Sequence, residues 1–184
     1  MPANESEDSL ILAVRSGDPA AKRSLYEQYY RYLAAVCARY VHSDEDVRDL
    51  LQDVFIRIFT RFDSFRNRGE GSLRAWCRRI AVNEALQHLR KARRLDTTPI
   101  EVTGDLPAPD ETPDVATIPQ KELLGMIQRL PDRYRTVFNL FVFEEMSHKE
   151  ISTLLGIGES TSASDLHRAK ALLTKWIHEY QKKP

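Results

Sequence analysis

The stretch SHKEISTLLGIGESTSASDLHRAK, residues 147–170, divides at Gly156 into two amphipathic segments. Ser147 and Glu150 have the spacing of a capping box, which marks a helix start. Gly156 supplies the left-handed backbone that ends that helix, and Ile157 fills the corner. A helix over 147–155 supporting a second over 160–181 is helix-turn-helix spacing. Many helical hairpins turn in the same way, so the spacing alone leaves DNA binding open beside a plain hairpin.

Projecting the second helix at about 100° per residue places Leu166, Ala169, Leu173, Trp176, Ile177 and Tyr180 on a buried stripe. Ser164, His167, Arg168 and Lys175 lie opposite. Asp165 falls at the edge of the core stripe and near the helix N-terminus, where an acid complements the macrodipole. Thr161, Ser164, His167, Arg168 and Lys175 are therefore the candidate duplex contacts. Arg168 suits a guanine edge or a phosphate, and the hydroxyls suit phosphates. So few charges bind weakly, and the helix needs an ally.

Upstream, residues 96–119 hold five prolines and six acids with no basic residue and no period. They read as a flexible acidic, proline-rich linker, spanning roughly 27 Å on average as a coil. Both flanks read as helical: Asp18-Pro19 as a cap and first-turn proline, Ser43 with Asp46 as a second cap, and Gly71-Ser72 opening a helix to about Arg94. The expected fold is all-α, with small helical domains over 1–95 and 120–184. The second is a helix-turn-helix (winged-helix-like) domain.

In SDEDVRDLLQDVFIRIFTRF (43–62) one face is apolar, and the opposite face centres on Asp49, Gln52, Asp53 and Ile56. An isoleucine among outward acids points to a protein contact. The segment 66–94 holds nine basic residues against Glu70 and Glu84, the footprint of a nucleic-acid binder. In its helix, Leu73, Trp76, Ile80 and Asn83 share one side, Arg74, Arg78 and Arg79 point away, and Arg90 lies near the end. The preceding loop combines Phe62 and Phe65 with Arg66, Asn67 and Arg68, a set suited to stacking and reading unpaired bases.

Lys and Arg together number 27 of the 184 residues, matched by 27 Asp and Glu. Neutrality argues against a free-standing nucleic-acid binder, although the flanks are mildly basic about the acidic middle. The start MPANESEDSL lacks a secretory pattern, and no run reaches the roughly 18 apolar residues of a membrane span, so a cytoplasmic protein without membrane insertion is expected. Cys37 and Cys77 sit in apolar-periodic runs, which implies buried, reduced thiols. No zinc cluster, P-loop or nucleotide fingerprint is present, and the five histidines are scattered without nucleophile partners. No catalytic residue, metal or cofactor is expected.

DVRDLLQDVFIRIF (46–59), SLRAWCRRIAVNEALQHLRKARR (72–94) and LPDRYRTVFNLFVFEEMSHKEISTLLGIGESTSASDLHRAKALL (130–173) together resemble the bacterial extracytoplasmic-function (ECF) sigma factors, the minimal two-domain class. The resemblance implies a dissociable specificity subunit of RNA polymerase. Asp49, Gln52 and Asp53 would dock on the clamp helices of core RNA polymerase. The loop 62–72 and the helix from Trp76 through Asn83 would capture the minus-ten element of promoter DNA and hold a flipped base. The helix-turn-helix would read the minus-thirty-five duplex, and the linker would thread the RNA-exit path. Restraint by an anti-sigma factor is implied by analogy. Arg48 departs from the family's usual acid, Val82 from its arginine, Gln87 from its frequent aspartate, and Ala163 and Asp165 from basic or amide residues. The alternative is a stand-alone dimeric helix-turn-helix transcriptional regulator, which leaves the Asp49/Gln52/Asp53 face without a task.

Overall fold

Local signals start two of the helices of the first unit. A computed structural model describes residues 3–92 and 113–182. Arg93, Arg94 and most of the expected linker lie outside them. Asp18 caps α2 (Pro19–Ala38) by accepting the Ala20 N–H at 3.0 Å, with Pro19 in the first turn. Ser43 caps α3 (Asp44–Arg61), whose first turn carries three acids against the positive end of the helix. A 3-10 turn, Phe62–Ser64, and a loop lead into α4 (Ser72–Lys91). α1 (Ala3–Arg15) precedes them, a helix the polar start of the chain did not announce.

The described residues up to Lys91 form one compact unit, and those after it form another. In the first, α4 packs on both α2 and α3. Leu25, Leu33, Val54, Ile58, Leu73, Ala81 and Leu89 are wholly buried there. Cys37 and Cys77 are also fully enclosed, and burial pushes each thiol up to about 12. Both are therefore unreactive thiols near neutrality.

The second unit comprises α5 (Gln120–Arg129), α6 (Asp132–Val142), α7 (His148–Leu155) and α8 (Glu159–Gln181). α8 packs on the other three. Its core joins Ile118, Leu130, Tyr134, Ala169, Leu173 and Ile177. Ile118 was expected in the linker, and its burial assigns residues 113–119 to this unit. Gln181 reinforces that assignment by donating to the Asp114 carbonyl at 2.6 Å. Arg135, fully buried, donates to the Gln128 and Leu130 carbonyls at 3.0 and 2.9 Å and so closes the α5–α6 corner. Among the described residues there is no strand, so the helix-turn-helix carries no wing within them.

Glu145, between α6 and α7, is the one non-glycine residue with positive φ among the described residues, at 55°. The left-handed region costs a side-chain-bearing residue about 1–2 kcal/mol, part of which glycine's extra chain entropy returns. Glu145→Gly should therefore raise the unfolding free energy by about 0.5–1 kcal/mol. Equilibrium denaturation of the full chain checks this.

Candidate protein and nucleic-acid interfaces

The buried stripe of α3 is Leu50, Leu51, Val54, Phe55 and Ile58. With a rotation of about 100° per residue, this turns Asp49, Gln52, Asp53 and Ile56 outward. All four are exposed, Ile56 by 54%. Beside this face α2 adds the exposed Tyr26 and Tyr30, whose ring centroids lie 5.3 Å apart. Tyr26 also packs on Phe55 at 4.5 Å, which joins the two helices through aromatic rings. The four-residue spacing of these tyrosines carried the signal, but only the packing of α2 on α3 shows where they point.

On α4 the structure regroups the expected residues. Arg79, Asn83, Gln87 and Arg90 are exposed at spacings of four, four and three, a single stripe along the helix. Asn83 therefore lies on the solvent side with Arg79, not on one side with Leu73, Trp76 and Ile80 as expected. The reason is that α2 and α3 together cover an arc running from Leu73 through Cys77 and Ala81 to Ala85, which leaves Asn83 outside it. Arg74 leaves the arginine group altogether and lies over the Tyr32 ring at 4.1 Å. Arg78 is half-buried. Gln87 was not among the expected contacts.

The aromatic loop is corrected more sharply. Phe65 is 1% exposed and Phe62 3%, so neither offers a face for a base. Their rings pack with the half-buried Trp76, at 5.3 Å from Phe65 and 5.8 Å from Phe62. The three aromatics form the floor beneath the loop, and Arg66, Asn67 and Arg68 remain on its outside. Asn67 Oδ1 accepts from the Gly69 N–H and the Ser72 hydroxyl, both at 3.0 Å, while its amide donates to Asp8. Arg15 donates to the Phe65 carbonyl at 3.0 Å. α1 thus pins the loop at two points, and Asn67 shapes it. Gly69 and Gly71, at φ 105° and 77°, supply the left-handed turns that admit this path.

In the second unit the α7 capping box is complete, and the Ser147 hydroxyl and backbone N–H, donating to the Glu150 carboxylate at 2.7 and 2.8 Å, hold its carboxyl below its ordinary value. Gly156 ends α7 in the left-handed region, φ 70° and ψ 34°. His148 Nδ1 lies 2.9 Å from the Ser162 hydroxyl and ties the start of α7 to α8. Ser164, His167, Arg168 and Lys175 are exposed, and Thr161 is half-buried. Asp165 is 1% exposed and paired with Arg133, with Nε 2.8 Å from Oδ2 and Nη2 donating to Oδ1 at 3.0 Å. Arg168 donates to the Tyr134 hydroxyl at 3.3 Å. Among the described residues no cluster of His, Cys, Asp and Glu could hold a metal, and no helix is long and apolar enough to cross a membrane.

The second unit thus presents a helix-turn-helix with a hydroxyl, imidazole and guanidinium face, and the first unit a basic stripe on α4 and an acid-rimmed apolar face on α3. The Sigma-70 region 2 family matches residues 25–95, and Sigma-70 region 4 matches residues 120–173. The ECF RNA polymerase sigma-E factor of Haemophilus influenzae is 30% identical, covering 94% of this chain and 95% of the relative. ECF sigma factor SigM of Mycobacterium tuberculosis is 30% identical over 95% of this chain and 86% of its own length. RNA polymerase sigma factor YlaC of Bacillus subtilis is 31% identical over 82% of this chain and 88% of its own. Among solved structures, CnrH in complex with the cytosolic domain of CnrY superposes with a TM-score of 0.49 at 22% identity, over 92% of this chain and 96% of that one. The chain belongs to the ECF sigma factors of the sigma-70 family.

Proposed function

We propose that this chain directs core RNA polymerase to promoters by dividing the work among three surfaces. Asp49, Gln52, Asp53 and Ile56, flanked by Tyr26 and Tyr30, dock on the polymerase. The stripe Arg79, Asn83, Gln87 and Arg90, with the loop residues Arg66 and Arg68, receives the minus-ten strand as it unpairs. Thr161, Ser164, His167, Arg168 and Lys175 contact the minus-thirty-five duplex. Chemistry on the nucleotides belongs to the polymerase.

The observation that carries this reading is the placement of the acid-rimmed face and the basic stripe on one unit and the lightly charged helix-turn-helix face on the other, in the family's order. Formal net charge is zero, so the free chain gains little from general phosphate attraction and is not scattered over non-specific sites. Once polymerase holds both units, the second contact becomes intramolecular. Its effective concentration, typically millimolar for a short flexible connection, replaces intrinsic affinity. A stand-alone dimeric regulator is disfavoured by family membership, and it has no use for the acid-rimmed face of α3.

Asp53→Ala should weaken association with core polymerase about fivefold, a loss of roughly 1 kcal/mol at a partly solvated charge pair. Thermal unfolding should be unchanged, because Asp53 is exposed. Undiminished association of Asp53→Ala with core polymerase would place the interface elsewhere.

A further inference from the structure

We propose that Tyr134 is a positioning residue for Arg168, setting how sharply that arginine discriminates base pairs in the upstream duplex. The Arg133–Asp165 pair holds α6 and α8 in the geometry this requires. The inference rests on the reading of α8 as the duplex-contacting helix and identifies what prepares its guanidinium for contact.

Two consecutive residues in the first turn of α6 reach two α8 residues one turn apart. Arg133 meets Asp165 through two contacts at 2.8 and 3.0 Å, and Asp165 is 1% exposed. The Nη2 hydrogen bond and the close Nε–Oδ2 charge contact join the first turn of α6 to α8 at this level. Tyr134 is fully buried and anchored in the core cluster with Leu130, Ala169 and Leu173. Its hydroxyl therefore stands at a fixed point, where it accepts from Arg168 Nη1 at 3.3 Å.

Arginine offers five donors in a rigid plane, and one bond to a fixed hydroxyl orients that plane while leaving the other donors for DNA. A base edge needs that orientation, because a guanine is read by two parallel bonds. A phosphate does not, since its oxygens accept from many directions. Removing the hydroxyl should therefore blunt base preference while leaving phosphate attraction intact. Asp165, the acid three residues before Arg168, is turned inward and paired with Arg133, so it does not compete for the Arg168 guanidinium.

The test uses the full chain with core polymerase and a DNA pool randomised across the upstream duplex, selected and sequenced. Arg168→Ala should flatten preference at one base-pair step. Tyr134→Phe should reduce preference at that same step about fivefold, the worth of one net hydrogen bond. Its thermal midpoint, its salt slope and its preference at other steps should be unchanged. The double variant should do no more than Arg168→Ala. Full preference in Tyr134→Phe at the step that Arg168→Ala flattens would overturn the proposal. A loss spread over every step with a lowered midpoint would also overturn it, because Tyr134 would then be acting through stability. If Arg168→Ala itself changes no step, the assignment of the upstream contact to Arg168 falls, and this inference falls with it.

Discussion

Replacing Asp165 with alanine should lower the unfolding free energy of the second unit by about 3–5 kcal/mol. The substitution leaves Arg133, whose side chain is 11% exposed, with a charge that neither water nor a carboxylate satisfies. Single domains are stable by only about 5–15 kcal/mol, so this loss removes a large part of the margin. Replacing both partners with leucine should cost far less, because a buried pair barely recovers its own desolvation and two apolar residues need none. That contrast separates an ionic lock from a simple packing position. Trp176 lies in the second unit and Trp76 in the first, so denaturation followed by tryptophan emission in a Trp76→Phe background reports the second unit directly. Equal losses in Asp165→Ala and in the double leucine variant would contradict this account of the pair.

Ile56→Asp should weaken association with core polymerase by about 30-fold or more while leaving the fold intact. Ile56 is 54% exposed on the solvent face of α3, where substitutions change stability by about 0.5 kcal/mol or less. An apolar anchor at the centre of an interface contributes about 2 kcal/mol or more, and each 1.4 kcal/mol is about tenfold in affinity. The aspartate also adds a third carboxylate beside Asp49 and Asp53, which must be desolvated on docking. Ile56→Leu, keeping the apolar volume, should bind nearly normally. Titration of labelled core polymerase with each variant distinguishes these outcomes, and equal affinities for Ile56→Asp and Ile56→Leu would remove Ile56 from the interface.

What the sequence discloses is set by the range of the interactions involved. Caps at Asp18, Ser43 and Ser147, and the corner at Gly156, depend on neighbours within a few residues, and all four form as their spacing implies. Helical periodicity sets Asp165 at the edge of the core stripe; neither its burial nor its partner Arg133, 32 residues away, follows from it. Asn67 is the clearest case of a residue misread locally. Its amide matches what a base edge needs, yet its partner is Asp8, 59 residues earlier. Phe65 was expected beside a base because it shares a loop with Arg66, Asn67 and Arg68, but the ring folds under the loop against Trp76. A single projection of α4 also misplaced Asn83, because it assumed one packing partner where α2 and α3 both contribute.

Cooperation between the two units through a shared partner is tested most directly by transcription in vitro. Purified chain, core polymerase and a pool of the host's genomic fragments are combined, transcript starts are mapped, and protection of those same fragments by the chain alone is measured. The account predicts new, discrete start sites only when chain and core are both present, with no specific protection by the chain alone. Specific footprints from the isolated chain at those fragments, or the absence of new starts when it is added to core, would contradict it.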